Sequence, residues 1–336
     1  MKIPMWLAAP LLTGYACLGQ SRPSLQETPP ATIKATSTLV MVPTLVRTPL
    51  GELVPELKAN NFRLIDNGVE QKVSVEMVQR QPIAVVVLMQ TGGAAPRQFQ
   101  NYQTMTTLLG PMMGSSIYKV AMVTFDSRPQ EIWNFPPRVD GLQHAFIHPE
   151  RGDRGAAILD AVNLGIELLQ QQPLSLRRII LLMSQPVDDE SKVSAADVVR
   201  RIGESNATIY SVSFSPEKPL PNDPLPKAPV NKFSPIASSN ALEAPASVLK
   251  AMQEDTAAEV AALSGGEQVR LKNKGDLEHK VWLLANDLAN GYTLSFRPSS
   301  KEPGFHTVKV EVVGTPGPFV VAARTSYWIA GTVTKK

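Results

Sequence analysis

A chain of 336 residues, 43% hydrophobic and 19% charged, has apolar matter for at least one full core, and its length permits one to three domains. Its net charge of +3 comes without a clustered basic face: Arg177 and Arg178 lead into an apolar run, and Lys272, Lys274 and Lys280 alternate with acidic and polar residues. Nucleic-acid binding is therefore not expected. The single cysteine, Cys17, lies in the N-terminal segment, so thiol catalysis, cysteine zinc sites and disulfides are excluded from the rest of the chain.

The opening MKIPMWLAAPLLTGYACLGQ begins with Lys2, runs apolar from Ile3 to about Leu12 and ends in small residues near Gly19, the pattern of an export signal. It is too short and too proline-broken to span a membrane. Residues 1–19 are expected to be cleaved, placing the chain in the periplasm or outside the cell. Lipid attachment at Cys17 is the minor alternative, because Gly14-Tyr15-Ala16 lacks the aliphatic residue three positions before the cysteine that such attachment favours. Residues 20–37, polar and rich in proline and threonine, read as a flexible leader.

Residues 38–80 read as a small β module. Two β-rich runs flank Leu50-Gly51-Glu52, and a third starts at Phe62 and reaches Asn67-Gly68, a hairpin signal, before the alternation of residues 72–77. At Ile83 the pattern changes to a continuous apolar run through Met89, which suits a central parallel strand covered on both faces. A helix over about 96–109, a strand over 118–125 and a short antiparallel partner near 131–135 follow. Then come a helix over 155–170 with Ile158, Val162, Ile166 and Leu169 on one face, a strand over 178–184, a helix over 195–202 and a strand over 208–214. This alternation predicts an α/β fold with a doubly wound, mostly parallel sheet over 81–265 and small β segments at both ends. Eight prolines between Ser215 and Ala246 make an irregular excursion over 215–246. The C-terminal segment 266–336 follows one helix over 248–263 and a break at Ser264-Gly265-Gly266, and holds a helix over 277–288 and β runs over 292–296, 306–313 and 319–325, which could form a second small sheet beside the N-terminal one.

Several separated phrases carry a resemblance. Asn61-Phe62-Arg63-Leu64-Ile65-Asp66-Asn67-Gly68-Val69-Glu70-Gln71, Leu263-Ser264-Gly265-Gly266 and Tyr292-Thr293-Leu294-Ser295-Phe296-Arg297-Pro298 occur in the order found in von Willebrand factor type A-like proteins abundant in acidobacteria and related soil bacteria. The chain resembles that family over about residues 38–330. The resemblance implies a divalent-cation site at the carboxyl edge of the sheet, built from a DxSxS loop, a threonine on a second loop and an aspartate on a third. Here those positions hold Gln90, Gly92 and Ala94, then Ala156, then Gln185. A hard cation needs oxygen ligands and at least one carboxylate, so no metal and no cofactor is expected at this edge. Asp188 and Asp189, just beyond Gln185, are the remaining route to a Mg/Mn-dependent adhesion site.

Other motifs have plainer readings. His144 and His148 are four apart, but Pro149 follows and only Glu150 is near as a third ligand, so they read as a chance surface pair. Arg151-Gly152-Asp153 is a tripeptide too short to imply integrin recognition. Ser247 and Lys250 have the spacing of penicillin-recognising enzymes without the companion motifs, and Ser247 reads instead as a helix cap. Asn206-Ala207-Thr208 is a formal glycosylation sequon running into a strand, Asp126 a turn-capping residue, and Trp133, Trp282 and Trp328 packing residues. No nucleophile and base are tied together by the sequence, and a pocket joining Asp126, Asp188 and His148 would be the observation in favour of an enzyme. The expected function is that of an exported, non-enzymatic protein-binding or scaffold module. Its partner would be an unspecified protein, of the cell envelope or elsewhere, met at an edge built on Gln90, Gly92, Ala94, Ala156 and Gln185; the alternative is a purely structural envelope component.

Overall fold

The structure, a computed structural model, describes residues 39–77, 81–103, 118–135, 139–214, 244–271, 283–284, 286–287 and 290–331. The expected signal and leader, the Pro-rich excursion up to residue 243, Trp282 and most of the helix expected over 277–288 lie outside these residues.

The N-terminal strands are β1 (Val40–Arg47), β2 (Phe62–Asp66), β3 (Val69–Gln71) and β4 (Ser74–Met77). Asn67 and Gly68 both take positive φ, 46° and 84°, which closes the β2–β3 hairpin with the twist that flanking strands favour. Next come β5 (Ile83–Gln90), β6 (Tyr118–Phe125) and β7 (Pro129–Trp133), then helices α1 (Val139–Ile147) and α2 (Ile158–Gln170). Strand β8 (Arg177–Ser184), helix α3 (Ala195–Glu204), strand β9 (Ala207–Phe214), helices α4 (Ala246–Glu254) and α5 (Thr256–Ser264) and strand β10 (Gln268–Leu271) complete the middle of the chain. The C-terminal strands are β11 (Tyr292–Phe296), β12 (Gly304–Val312), β13 (Val320–Ala323) and β14 (Ser326–Ile329).

Strands β5 to β10 form one sheet in the order β10-β9-β8-β5-β6-β7, parallel except for β7. All residues of β5 and β9 are buried, which the continuous apolar runs require once both faces are covered. One apolar core packs α2, α3 and α5 on one face, and a second gathers Tyr102, Leu142 and Phe146 on the other. From β5 the chain winds outward through β6 and β7, then returns to the other side of β5 for β8, so the order reverses between β5 and β8. In such sheets the crevice at the carboxyl ends of the two strands flanking the reversal is where ligands bind.

The terminal strands do not form one sheet from each end of the chain. They interleave in two four-stranded sheets, β13-β1-β11-β4 and β14-β12-β2-β3, which share a core of Val42, Leu64, Leu294, Phe296 and Tyr327 among others. Every N-terminal strand other than β3 pairs with at least one C-terminal strand, and the Tyr327 hydroxyl donates to buried Asp66 at 2.9 Å. Arg324, fully buried, ties this part of the unit to α3: its guanidinium donates to the carbonyls of Ile202 (2.9 Å) and Gly203 (2.7 Å) at the helix end and to that of Ser326 (2.6 Å).

Two expected helices and one expected helix cap differ in detail. The helix expected from 155 begins at Ile158, because Ala156 exchanges backbone hydrogen bonds with Asp189 and is held extended. The helix expected over 248–263 is two, broken at Asp255, whose extended backbone (φ −153°) lets its carboxylate accept from the Ala258 amide and cap α5. Ser247 lies inside the first turn of α4 and does not cap it; Pro245 takes that position. Strands β10 and β14 and helix α1 are elements that the sequence pattern did not mark.

Candidate functional site: the carboxyl edge of the central sheet

Three loops meet where β5 and β8 end: residues 91–95 after β5, 150–157 before α2 and 185–193 after β8. Gln90, the last residue of β5, is completely buried. Its Nε2 donates to the Gly92 carbonyl (3.0 Å) and to Gln185 Oε1 (3.1 Å), and its Oε1 accepts from the Gln185 amide (2.8 Å). Gln185 Nε2 in turn donates to the Val187 carbonyl at 3.0 Å. Tyr102 donates to the Gln90 carbonyl at 2.9 Å, and burial holds its phenol well above the ordinary range. The two amides thus clasp β5 to the loop after β8, saturating each other across the crevice.

The glycines let the loops close over this clasp. A Cβ on Gly92 would lie 2.5 Å from the Gly155 carbonyl oxygen and 2.6 Å from Asp126 Cβ, so only a residue without one fits. Backbone bonds from Gly93 to Asp153 (2.9 Å) and from Gly152 to Thr91 (3.1 Å) seal the first two loops together. Ala156, also fully buried, supplies only backbone groups, and these bond Asp189.

The carboxylates near the edge are engaged in holding loops. Asp188 accepts from the Leu159 amide (3.0 Å) and the Ser191 hydroxyl (2.5 Å) at the start of α2; burial raises its carboxyl, the nearby charge of Asp160 adds to that, and the two hydrogen bonds oppose it. Asp126 accepts from the Arg128 (3.2 Å) and Asp153 (3.1 Å) amides and from Gln130 Nε2 (2.6 Å), which is the turn-capping role its position suggests. Asp153 accepts from the Ser127 amide and hydroxyl and from the Gly155 amide (2.8 Å). Burial alone would raise its carboxyl, but these bonds hold it below the ordinary range. The tripeptide Arg151-Gly152-Asp153 is therefore folded into the edge.

The donor set does not fit a divalent cation. Of the five positions at which the resemblance implies metal ligands, Gly92, Ala94 and Ala156 have no side-chain donor, and the side-chain oxygens of Gln90 and Gln185 each accept a protein N–H. Among the described residues no group of three or more His, Cys, Asp or Glu is placed to share an ion.

The accessible surface lies one layer out. Gln90, Gly92 and Ala156 are buried and shape the edge from within, while Ala94 and Gln185 are partly exposed. Beside them an open depression is lined by Ser127, Arg128, Asp153, Glu190, Ser191 and Lys192. Glu190 holds a positive φ of 79°, an uncommon conformation for a residue with a side chain, at the tip of the third loop. The depression includes none of Asp126, Asp188 or His148. No sequence motif marks Arg128, Glu190 or Lys192, because exposed charges of both signs are ordinary surface composition. Of the tryptophans, Trp328 is buried and packs against Phe305, and Trp133 lies against Gly141 of α1.

No protein-family model and no curated protein matches the chain. Among solved structures it is similar to an aerotolerance-related membrane protein from Bacteroides fragilis carrying multiple mutations to serine, at 16% identity over 61% of this chain and 98% of that one (TM-score 0.39). It is similar to BatB from Bacteroides thetaiotaomicron at 14% identity over 61% and 98% (TM-score 0.40). A von Willebrand factor type A protein from Catenulispora acidiphila matches at 8% identity over 88% of this chain and 74% of that one (TM-score 0.44). These likenesses are distant; the strand order and the helices on both faces of the sheet carry the assignment. The central unit has a von Willebrand factor A-like fold. Among the described residues no helix is long and apolar enough to cross a membrane.

Proposed function

We propose that the chain is an exported, non-enzymatic protein-binding or scaffold module that meets a protein partner at the carboxyl edge of its von Willebrand factor A-like sheet without an ion. The observation that carries this reading is the Gln90–Gln185 clasp, which occupies the crevice at the strand-order reversal with a neutral, self-satisfied pair of amides. A clasp of this kind keeps the loops in register, the task a bound cation performs elsewhere, and leaves the outer charged rim for recognition. The N-terminal pattern of residues 1–19 supports export, and the order of the three phrases supports kinship with the soil-bacterial proteins they resemble.

Because Gln90 is buried, the test falls on exposed rim residues. Wild-type chain and the double variant Arg128→Glu/Lys192→Glu are used as baits on native cell-envelope extract, with and without chelator. The proposal expects a partner retained with chelator present and lost with the folded variant. Capture that requires a divalent cation would count against ion-free binding at this edge. Equal capture by both baits would move the contact to the β-sandwich and favour a spacer role for the central unit.

A further inference from the structure

The histidine pair at the end of α1 has a geometry that its sequence context did not suggest. Helix α1 runs through Ile147, and the His148 amide donates to the His144 carbonyl at 2.7 Å, so one helical hydrogen bond sets the spacing of these two residues. Residues four apart lie on one face, and both imidazoles are exposed there with ring centroids 5.2 Å apart. Neither ring hydrogen-bonds to another described residue. For a tetrahedral ion with metal–nitrogen bonds of about 2.0–2.1 Å and each ring centre about 1.1 Å further out, two bound imidazoles have centroids about 5.2 Å apart. The observed centroid separation equals that value.

Two further features favour a cation at this place. It is the C-terminal end of a helix, where the aligned backbone dipoles leave partial negative charge. The end is also anchored, because Gln103 Nε2 donates to the Ile147 carbonyl at 3.1 Å. Past His148 the chain enters the loop whose Gly152 and Asp153 bond Thr91 and Gly93, so the pair stands beside the carboxyl edge.

We infer that His144 and His148 form a two-histidine site for a borderline divalent cation of the zinc, copper or nickel class, which imidazole nitrogen suits better than magnesium or calcium. With two protein ligands, the ion keeps open positions for water or for a carboxylate or imidazole of a second molecule. This site is separate from the ion-free crevice at Gln90 and does not depend on the function proposed above.

The test uses the full, untagged chain with Cys17→Ser, so that no thiol competes. Zinc chloride is titrated calorimetrically in a non-coordinating buffer, with magnesium chloride as the control, and copper(II) is followed by electron paramagnetic resonance. The expected result is one zinc ion per chain, no magnesium heat, and nitrogen splittings from two imidazoles on copper. His144→Gln or His148→Gln should each weaken zinc at least about tenfold, because a chelate becomes a single ligand, and each should leave one coupled nitrogen; His279→Gln should change neither. Zinc uptake equal in the wild type and the His144→Gln/His148→Gln double variant, or no uptake by the wild type at all, overturns the site. Both histidines are exposed, so the variants retain the fold, and circular dichroism verifies it.

Discussion

Replacing Gln90 with leucine tests whether the amide clasp holds the crevice shut. Leucine keeps nearly the same volume, so no cavity opens, and the change isolates the hydrogen bonds. It leaves the Gln185 amide N–H and the Gly92 carbonyl without the partners they have at 2.8 and 3.0 Å. The Gln185 side chain, partly exposed, recovers a bond to water, whereas Gly92 is buried. At about 1–3 kcal/mol for each stranded buried group, Gln90→Leu should cost about 2–4 kcal/mol. Gln185→Ala is milder, about 1 kcal/mol, because Gln90 keeps its bonds to the Gly92 carbonyl and the residue-185 amide. Urea unfolding gives both values from the shift in midpoint at constant slope. Equal costs for the two variants, or a Gln90→Leu variant as stable as the wild type, would refute the clasp as the element closing the edge.

Gly92→Ala should destabilise by about 1–3 kcal/mol because its Cβ meets backbone and Cβ atoms of two other loops, whereas Gly51→Ala, with nothing within 4 Å, should cost only the strain of its positive φ; thermal unfolding of the two compares them, and equal losses would count against the close approach. Arg324→Met strands the carbonyls of Ile202, Gly203 and Ser326 and should cost about 3 kcal/mol or more, with lysine recovering little because a single ammonium cannot reproduce the planar fork; a wild-type melting temperature would contradict this. Burial raises Asp287 to about 6 against the pull of Arg47 at 2.5 Å, with Glu267 adding repulsion. A folded value above the ordinary 3.8 means that this group's contribution to stability is full below that value and is lost as pH rises through about 6. Asp287→Asn should therefore show a smaller decline in urea midpoint than the wild type over that window, and parallel curves would exclude the effect.

Much of the central unit was legible in advance because its signals are local. The apolar run Ile83 to Met89 becomes β5, buried on both faces, and Ile158, Val162, Ile166 and Leu169 all reach the core from α2. Periodicity reports which face of an element is apolar, but not what covers it, and that is where the expectations stopped. The single helix expected over 248–263 hid a break at Asp255, because a lone aspartate inside an apolar pattern reads as a solvent-facing residue until its carboxylate is seen accepting from Ala258. The charged rim at Arg128, Glu190 and Lys192 had no signature, since what brings these residues together is the convergence of loops far apart in sequence.

By itself, the sequence determined the alternation of strands and helices and the neutral side chains at Gln90, Gly92, Ala94, Ala156 and Gln185. Both follow from residue type and spacing along the chain. Only the tertiary structure decided that β1 and β2 pair with C-terminal strands, that Gln90 and Gln185 bond each other, and that the His144 and His148 rings lie with centroids 5.2 Å apart. The first two join residues 95 to 256 positions apart, where many partners satisfy the same pattern and only packing selects one. The third needed the segment to be helical through its last turn, which the docking of α1 on the sheet settles and local propensity does not.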